Sequence, residues 1–343
     1  MSSSRATLIQ VAERAGVSLA STSRALHGTG ASQKMVDRVR AAAAELGYSP
    51  DAIGRSLRMK RTFQVAFAVA DIGNPVYVEM LTAIHEVLAP HGYRVVVMST
   101  GPTVVSTTDL VHSLGSGFVD GMIVSPLRTD DALVAAIREA PVPVVVIGRS
   151  LEQQGIDSVS TDSAAGLGQA VAHLLEIGRR RIGFVNGPLD TTPGAARQRG
   201  FDAATSAPGF AGDHAETERA DDFTVAAGLA AARRLLSRTP AAGPFDAVVA
   251  ANDLLAIGVV RAARELGLSV PGDVAVTGMD DTEIGRVFQP SLTSVSLGSA
   301  ERGAAAARLV LGRVDDVAEP AQQIAIGPRL FVRESTAQEE SAR

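Results

Sequence analysis

From Phe63 onward the chain repeats one pattern: short unbroken apolar runs, rich in Val and Ile, alternate with stretches of helical periodicity. The spacing predicts strands at Val65–Ala70, Val95–Met98, Met122–Val124, Val144–Ile147, Ile182–Val185, Ala247–Ala250 and Val274–Thr277. Helical patterns fall between them, at Val78–Ala89, Asp131–Glu139, Gly166–Glu176 and Leu254–Leu266. Continuous apolar strands are those buried on both faces, and their alternation with helices places them in parallel sheets. Turn residues follow many of the runs, at the carboxyl ends of strands, which is where open α/β sheets bind ligands. Two runs, VAFAVADIGNPVY and RIGFVNGPLDT, are loosely alike and suggest two similar lobes.

The first sixty residues read differently. In TLIQVAERAGVSLASTSRALHG, Thr7 is a helix N-cap and Leu8, Val11, Ala12 and Ala15 recur at helical spacing. Gly16 then supplies a turn, Val17 plugs the angle between helices, and Ser18 caps a second short helix. On that second helix Thr22, Ala25 and Leu26 face inward, while Leu19, Ala20, Ser21, Ser23 and Arg24 face out. A third helix, capped by Ser32, carries the core stripe Met35, Val36, Val39, Ala42, Ala43 and Leu46 and stops at Gly47. This is the helix-turn-helix pattern, whose second helix enters the major groove with its N-terminal residues against base edges. Arg24 is placed for bidentate contact with guanine, the alternatives being a phosphate contact or a solvated charge. The hydroxyls of Thr7, Ser18, Ser21 and Ser32 suit phosphate oxygens, which fix register without reading sequence.

Charge supports that division. Residues 1–61 hold ten Lys and Arg against four Asp and Glu, a surplus of six positive charges, whereas the remainder carries an excess of eleven negative ones. A basic head on an acidic body suits a polyanion at the head alone. Between them lies YSPDAIGRSLRMKRT, where Ser49, Pro50 and Asp51 form a proper helix start. A helix this short is marginal by itself, and Gly54 weakens it further. Ile53 and Leu57 share its apolar face, with Arg58 beside them, an arrangement suited to wedging a minor-groove base step. The alternative is a plain linker with Leu57 packed on the body.

Residues 7–61 resemble the head and hinge of the LacI/GalR family of bacterial transcription regulators. The resemblance continues through GNPVY, DGMIVSP, PVPVVVIGR, HLLEIGRRRIGFVNGP, AARQRGF, ANDLLAIG, VPGDVAVTGMDD, PSLTSVS and LFVREST, nearly the whole chain. It implies an α/β body like a periplasmic sugar-binding protein, two doubly wound parallel-sheet lobes joined by three crossovers. The domains expected are a head at 1–48, a hinge helix and linker at 49–61, and an effector-binding and dimerisation domain at 62–343. Its N-lobe is expected at 62–160 and 291–322, its C-lobe at 161–290 and 323–343. The resemblance makes Leu19, Ala20 and Arg24 base-reading positions and Leu57 the intercalating leucine. Two positions depart from the family's usual pattern: Ser21-Thr22-Ser23-Arg24 stands for T-V-S-R, and Gly54 stands for alanine.

The same resemblance assigns the cleft residue by residue. Arg197 matches an arginine that clamps ligand oxygens, and its planar fork suits vicinal hydroxyls or a carboxylate. Asn252 offers a donor and an acceptor, Asp280 a carboxylate, and Phe223 an aromatic platform. Asn74, Val76 and Tyr77 form the facing wall. Asp162 and Asp190 are further contacts, with helix capping as the other reading of each; Asn252 or Asp253 also fits a helix cap, and Asp280-Asp281 a turn. Some sugar-responsive members carry an acid where this chain has Gly148, followed at the cleft by Arg149. A sugar or polyol is the expected effector, with a nucleoside or other metabolite as the alternative.

No phosphate-cradling loop, H-E-x-x-H pair or G-x-S-x-G elbow occurs, and the six histidines lack ligand spacing, so neither catalysis, metal nor cofactor is expected. The chain has no cysteine and starts without an apolar leader, as expected of a cytoplasmic protein without membrane attachment. The rival, a periplasmic solute-binding protein, predicts an export signal and no head. The tail STAQEESAR lacks the leucine heptads of tetrameric relatives, so the expected assembly is a homodimer on a near-palindromic duplex operator, with repression as its output.

Overall fold

A computed structural model describes residues 6–27, 30–48, 59, 61–101, 103–114, 116–149, 151, 154–208, 210–315 and 320–337. The chain divides into two compact units, at Thr62 and Phe63. The hinge assignments at Ile53, Leu57 and Arg58 lie outside the described residues.

The described residues of the first unit form three helices, α1 (Leu8–Ala15), α2 (Leu19–His27) and α3 (Gln33–Glu45). Thr7 and Gln10 close a reciprocal capping box on α1. Gly16 ends that helix in the left-handed region (φ 62°), where a side chain would be strained, and Val17 N–H donates back to Ala12 O. Ser18 Oγ accepts from Ser21 N at 3.2 Å, starting α2. The core holds Val11, Ala15, Ala25, Val36, Val39, Ala42 and Ala43, and Arg14 pairs with Glu45 to tie α1 to α3. Two expectations are corrected. Ser32 stands at the N-cap of α3 without a side-chain capping bond, and Leu46 is exposed, because α3 stops one residue earlier and turns it outward.

The second unit contains two sheets. The first is ordered β11-β5-β4-β3-β1-β2, from β1 (Gln64–Val69), β2 (Arg94–Ser99), β3 (Gly121–Ser125), β4 (Val144–Gly148), β5 (Ser158–Thr161) and β11 (Gln323–Ile326). All its pairings are parallel. The second is ordered β12-β10-β9-β8-β6-β7, from β6 (Arg181–Asn186), β7 (His214–Arg219), β8 (Ala247–Ala250), β9 (Ala275–Met279), β10 (Thr293–Ser296) and β12 (Arg329–Phe331). It is parallel apart from the edge strand β12, which runs antiparallel to β10.

Helices cover both sheets. On the first lie α4 (Val76–Leu88), α5 (Val104–Leu114), α6 (Asp131–Glu139) and α12 (Ser299–Asp315). With the second go α7 (Ser163–Glu176), α8 (Thr192–Ser206), α9 (Val225–Leu236), α10 (Asp253–Glu265) and the short α11 (Glu283–Val287). Glycines permit the closest helix approaches: a Cβ on Gly258 would sit 2.5 Å from Leu229 N, and one on Gly303 would sit 2.6 Å from Met80 O. His173, on α7, bonds Thr336 Oγ1 at 2.8 Å through Nε2, and burial lowers its pKa.

The lobe limits expected near the end of the chain are corrected. Thr293–Ser296 belongs to the second sheet rather than the first, and Gln323–Ile326 to the first rather than the second. The three passages between sheets therefore fall at Asp162, at Leu297-Gly298 and at Gly327-Pro328. Both displaced strands are four residues long and mix Ser, Thr or Gln with their apolar residues, so no unbroken run marks them.

Candidate functional site

On the first unit, Leu19, Ala20 and Arg24 are all exposed along the beginning and middle of α2, Leu19 by 48% despite its apolar side chain. Opposite them Thr22 is fully buried and donates through Oγ1 to Ser18 O at 3.1 Å, which fixes the helix's rotation. Thr7, Ser18 and Ser32 are exposed and Ser21 half-buried. The outward face of α2 thus combines an apolar residue, hydroxyls and a guanidinium.

In the second unit a cavity of about 630 Å³ opens between the lobes, at the passages Thr161-Asp162 and Leu297. That volume lies within the range of small-molecule sites. Nine of the ten residues expected at the effector site line it. Val76 and Tyr77 begin α4 and Asn74 precedes it, Arg149 directly follows β4, and Asp162 comes from the first passage. Arg197 comes from α8, while Phe223, Asn252 and Asp280 come from the loops after β7, β8 and β9. Asp190 is not brought there: its exposed carboxylate pairs with Arg128 at 2.8 Å.

Arg197 is 6% exposed; its guanidinium reaches Asp280 Oδ1 at 3.3 Å and lies 5.8 Å from the centre of the Phe223 ring. The ring is wedged against Gly187, where a Cβ would come within 2.4 Å of it. Asn252 has two tasks: Oδ1 caps α10 by accepting from Leu255 N at 2.9 Å, and Nδ2 donates to Phe223 O at 3.2 Å. Asp162 likewise caps α7, accepting from Ala165 N at 2.9 Å while lining the cavity.

Asp280 (φ 98°) and Asp281 (φ 51°) occupy the left-handed region, a conformation that non-glycine residues keep only where their surroundings enforce it. Here Asp280 N donates to Val295 O at 2.8 Å, and Arg333 grips Asp281 Oδ1 at 2.6 Å. Asp281 therefore anchors the loop, and Asp280 is left facing the cavity. Burial raises the Asp280 pKa, opposed by the neighbouring Arg197 and Arg302 charges. Burial also pushes up the pKa of the Tyr77 phenol, with Ser125 opposing the shift.

Sequence reasoning missed Arg302, which stands in the first turn of α12 and is 5% exposed at the cavity wall. In the sequence it reads as one charge of an ordinary Glu-Arg helical pair; only the passage at Leu297-Gly298 turns it inward. Ser125 and Thr161 were missed too. Three cavity-lining groups are buried without a hydrogen-bond partner: Arg197 Nε, Arg302 Nε and Thr161 Oγ1. Unpaired buried polar groups are costly, so their convergence on one cavity marks it as built for polar contact.

Residues 7–51 match the family described as bacterial regulatory proteins, lacI family, and residues 171–336 match the periplasmic binding protein-like domain. The transcriptional regulator CelR of Thermobifida fusca is 34% identical over 339 residues, covering 96% of this chain and 98% of its own. The chain belongs to the LacI family. Other LacI-family relatives include the transcriptional regulator MalR of Streptomyces coelicolor, 32% identical with 96% of each chain covered. The fold agrees as well. The Lac repressor dimer bound to operator and the anti-inducer ONPF superposes with a TM-score of 0.84 at 26% identity, over 98% of this chain and 100% of that one. A complex of CelR with cellobiose gives 0.70 at 33% identity, over 96% and 100%. The LacI-family chain is accordingly a bacterial transcription regulator of the helix-turn-helix type.

Proposed function

We propose that this protein is a homodimeric repressor acting in the cytoplasm on a near-palindromic DNA operator, released or recruited by a hydroxyl-rich effector of the sugar class. The observation that carries the proposal is the pairing, in one chain, of an exposed reading face on α2 with a polar interlobe cavity containing unsatisfied buried donors. Leu19, Ala20 and Arg24 read bases, and Thr7, Ser18, Ser21 and Ser32 hold phosphates. Arg197, Asp280, Asn252, Tyr77 and Asn74 bind effector hydroxyls over the Phe223 ring, with Asp162 and Arg149 at the edge. Relatives such as CelR, solved as a complex with cellobiose, support a carbohydrate effector.

The cavity sits where the chain passes between sheets, so a ligand touching both walls favours one lobe arrangement by its differential affinity. Couplings of this kind are typically ~1–3 kcal/mol, enough to alter operator occupancy against a genome of competing sites. The test is selection of duplexes from a random pool by the full-length protein, followed by operator titration with sugars, polyols, nucleosides and nucleobases. An enriched inverted repeat whose affinity shifts with a sugar supports the proposal. No enriched repeat, or a shift with nucleosides alone, refutes it.

A further inference from the structure

Three observations concern Arg302. It is 5% exposed, and among the described residues no carboxylate stands within ion-pair reach of it. Its one hydrogen bond is long, from an Nη to Ser299 Oγ at 3.4 Å, and its Nε has no partner. The buried acid near it is Asp280, which is already engaged by Arg197. Two buried guanidiniums therefore share one carboxylate, and protonation of Asp280 would only enlarge the positive surplus.

A buried ion without a counter-ion is strongly destabilising, and a guanidinium rarely escapes by losing its proton. Burial lowers the Arg302 pKa to about 10, so it remains charged at neutral pH. Its position in the first turn of α12 adds the positive end of a helix dipole to its own charge. The exposed cations Arg149 and Arg199 at the cavity offset the exposed acids Asp162 and Glu301, the latter beside Arg302 in the chain, and leave the sign unchanged.

We infer that the effector is a polyhydroxylated carboxylate, of the sugar-acid class, and that Arg302 supplies its counter-charge as the residue that selects acid over neutral sugar. The inference rests on the cavity being the effector site. A single carboxylate matches the buried surplus of one charge. A phosphate dianion exceeds it, and a neutral sugar leaves Arg302 uncompensated. Because α12 packs with the first lobe and α8, carrying Arg197, with the second, one carboxylate contacted by both guanidiniums would also favour closure.

The experiment is calorimetric titration of the full-length protein with hexuronates and aldonates, each paired with its neutral parent sugar and with its phosphate ester. One acid is expected to bind at least about tenfold tighter than both counterparts, the scale of one charge-assisted bond. Arg302→Met should abolish that preference and Arg302→Lys should restore part of it. Without ligand, Arg302→Met should melt no lower than wild type, since it removes an unpaired buried charge. The inference is overturned if no acid binds, if a neutral sugar or a phosphate binds best, or if the preference survives Arg302→Met. A lower Tm for ligand-free Arg302→Met also overturns it, because Arg302 would then serve the fold. Operator release by a neutral sugar would sink the acid alone, whereas no selected operator at all would sink the regulator reading beneath it.

Discussion

Single side chains carry the clearest expectations. Arg24 is the exposed guanidinium on the outward face of α2. Arg24→Ala should therefore reduce discrimination between operator and random duplex about tenfold, within the ~1–3 kcal/mol of a bidentate base contact. Fluorescence anisotropy on both duplexes checks this; equal losses on the two would make Arg24 a phosphate contact. Asp253 bears on pH. It is buried at the start of α10, accepts from Thr282 N and Oγ1 and from Ser294 Oγ, and burial pushes its pKa up to about 7. A folded pKa above the unfolded value means the folded chain holds the proton more tightly. This contribution to stability is complete below about pH 4, declines as pH rises, and is lost through pH 7. Melting curves from pH 5 to 8 should show that decline, and Asp253→Asn should flatten it. Arg302 shows where reading residues in sequence fails: its neighbours look like any charged helical turn, and its role comes from a chain passage that leaves no mark on its own spacing.

At the scale of elements, legibility follows apolar density. The strands β1, β2, β3, β4, β6, β8 and β9 are dominated by apolar residues and were recognisable, as were the cap-turn-cap signals of the head. The strands β5, β7, β10, β11 and β12 were not. β7 reads HAETER and β10 reads TSVS, and both resemble loops because their polar side chains find partners only in the folded protein. Thr293, for example, hydrogen-bonds Ser335 and Thr336 more than forty residues away. The site was legible where loop residues follow recognisable strands, as with Asp280 after β9 and Asn252 after β8. The α9–α10 contact yields a further test. A methyl on Gly258 would meet Leu229 N and Val225 O, both backbone atoms unable to rotate away. Gly258→Ala should cost about 1–3 kcal/mol by overpacking, measured by urea unfolding. An unchanged midpoint would mean that the two helices separate at little cost.

For the molecule as a whole, the division of charge makes binding to DNA sensitive to ionic strength. With the positive surplus confined to residues 1–61, operator affinity should fall steeply with salt, by about 0.9 log units per log salt for each phosphate neutralised. A slope steeper than about 5 is expected of two heads on one duplex; one shallower than about 2 would leave the basic head without its polyanion.

The order in which the strands are supplied has a consequence for how the protein is made. The last two described strands, Gln323–Ile326 and Arg329–Phe331, each complete an edge of a different sheet, and Ser335 then locks between Thr293 and Val276. Neither lobe can be finished on the ribosome until the chain has been made through Phe331. The head, made of local contacts within the first sixty residues, can fold long before. On the proposed function, a chain cut short before those strands would present a groove reader with no means of sensing metabolites.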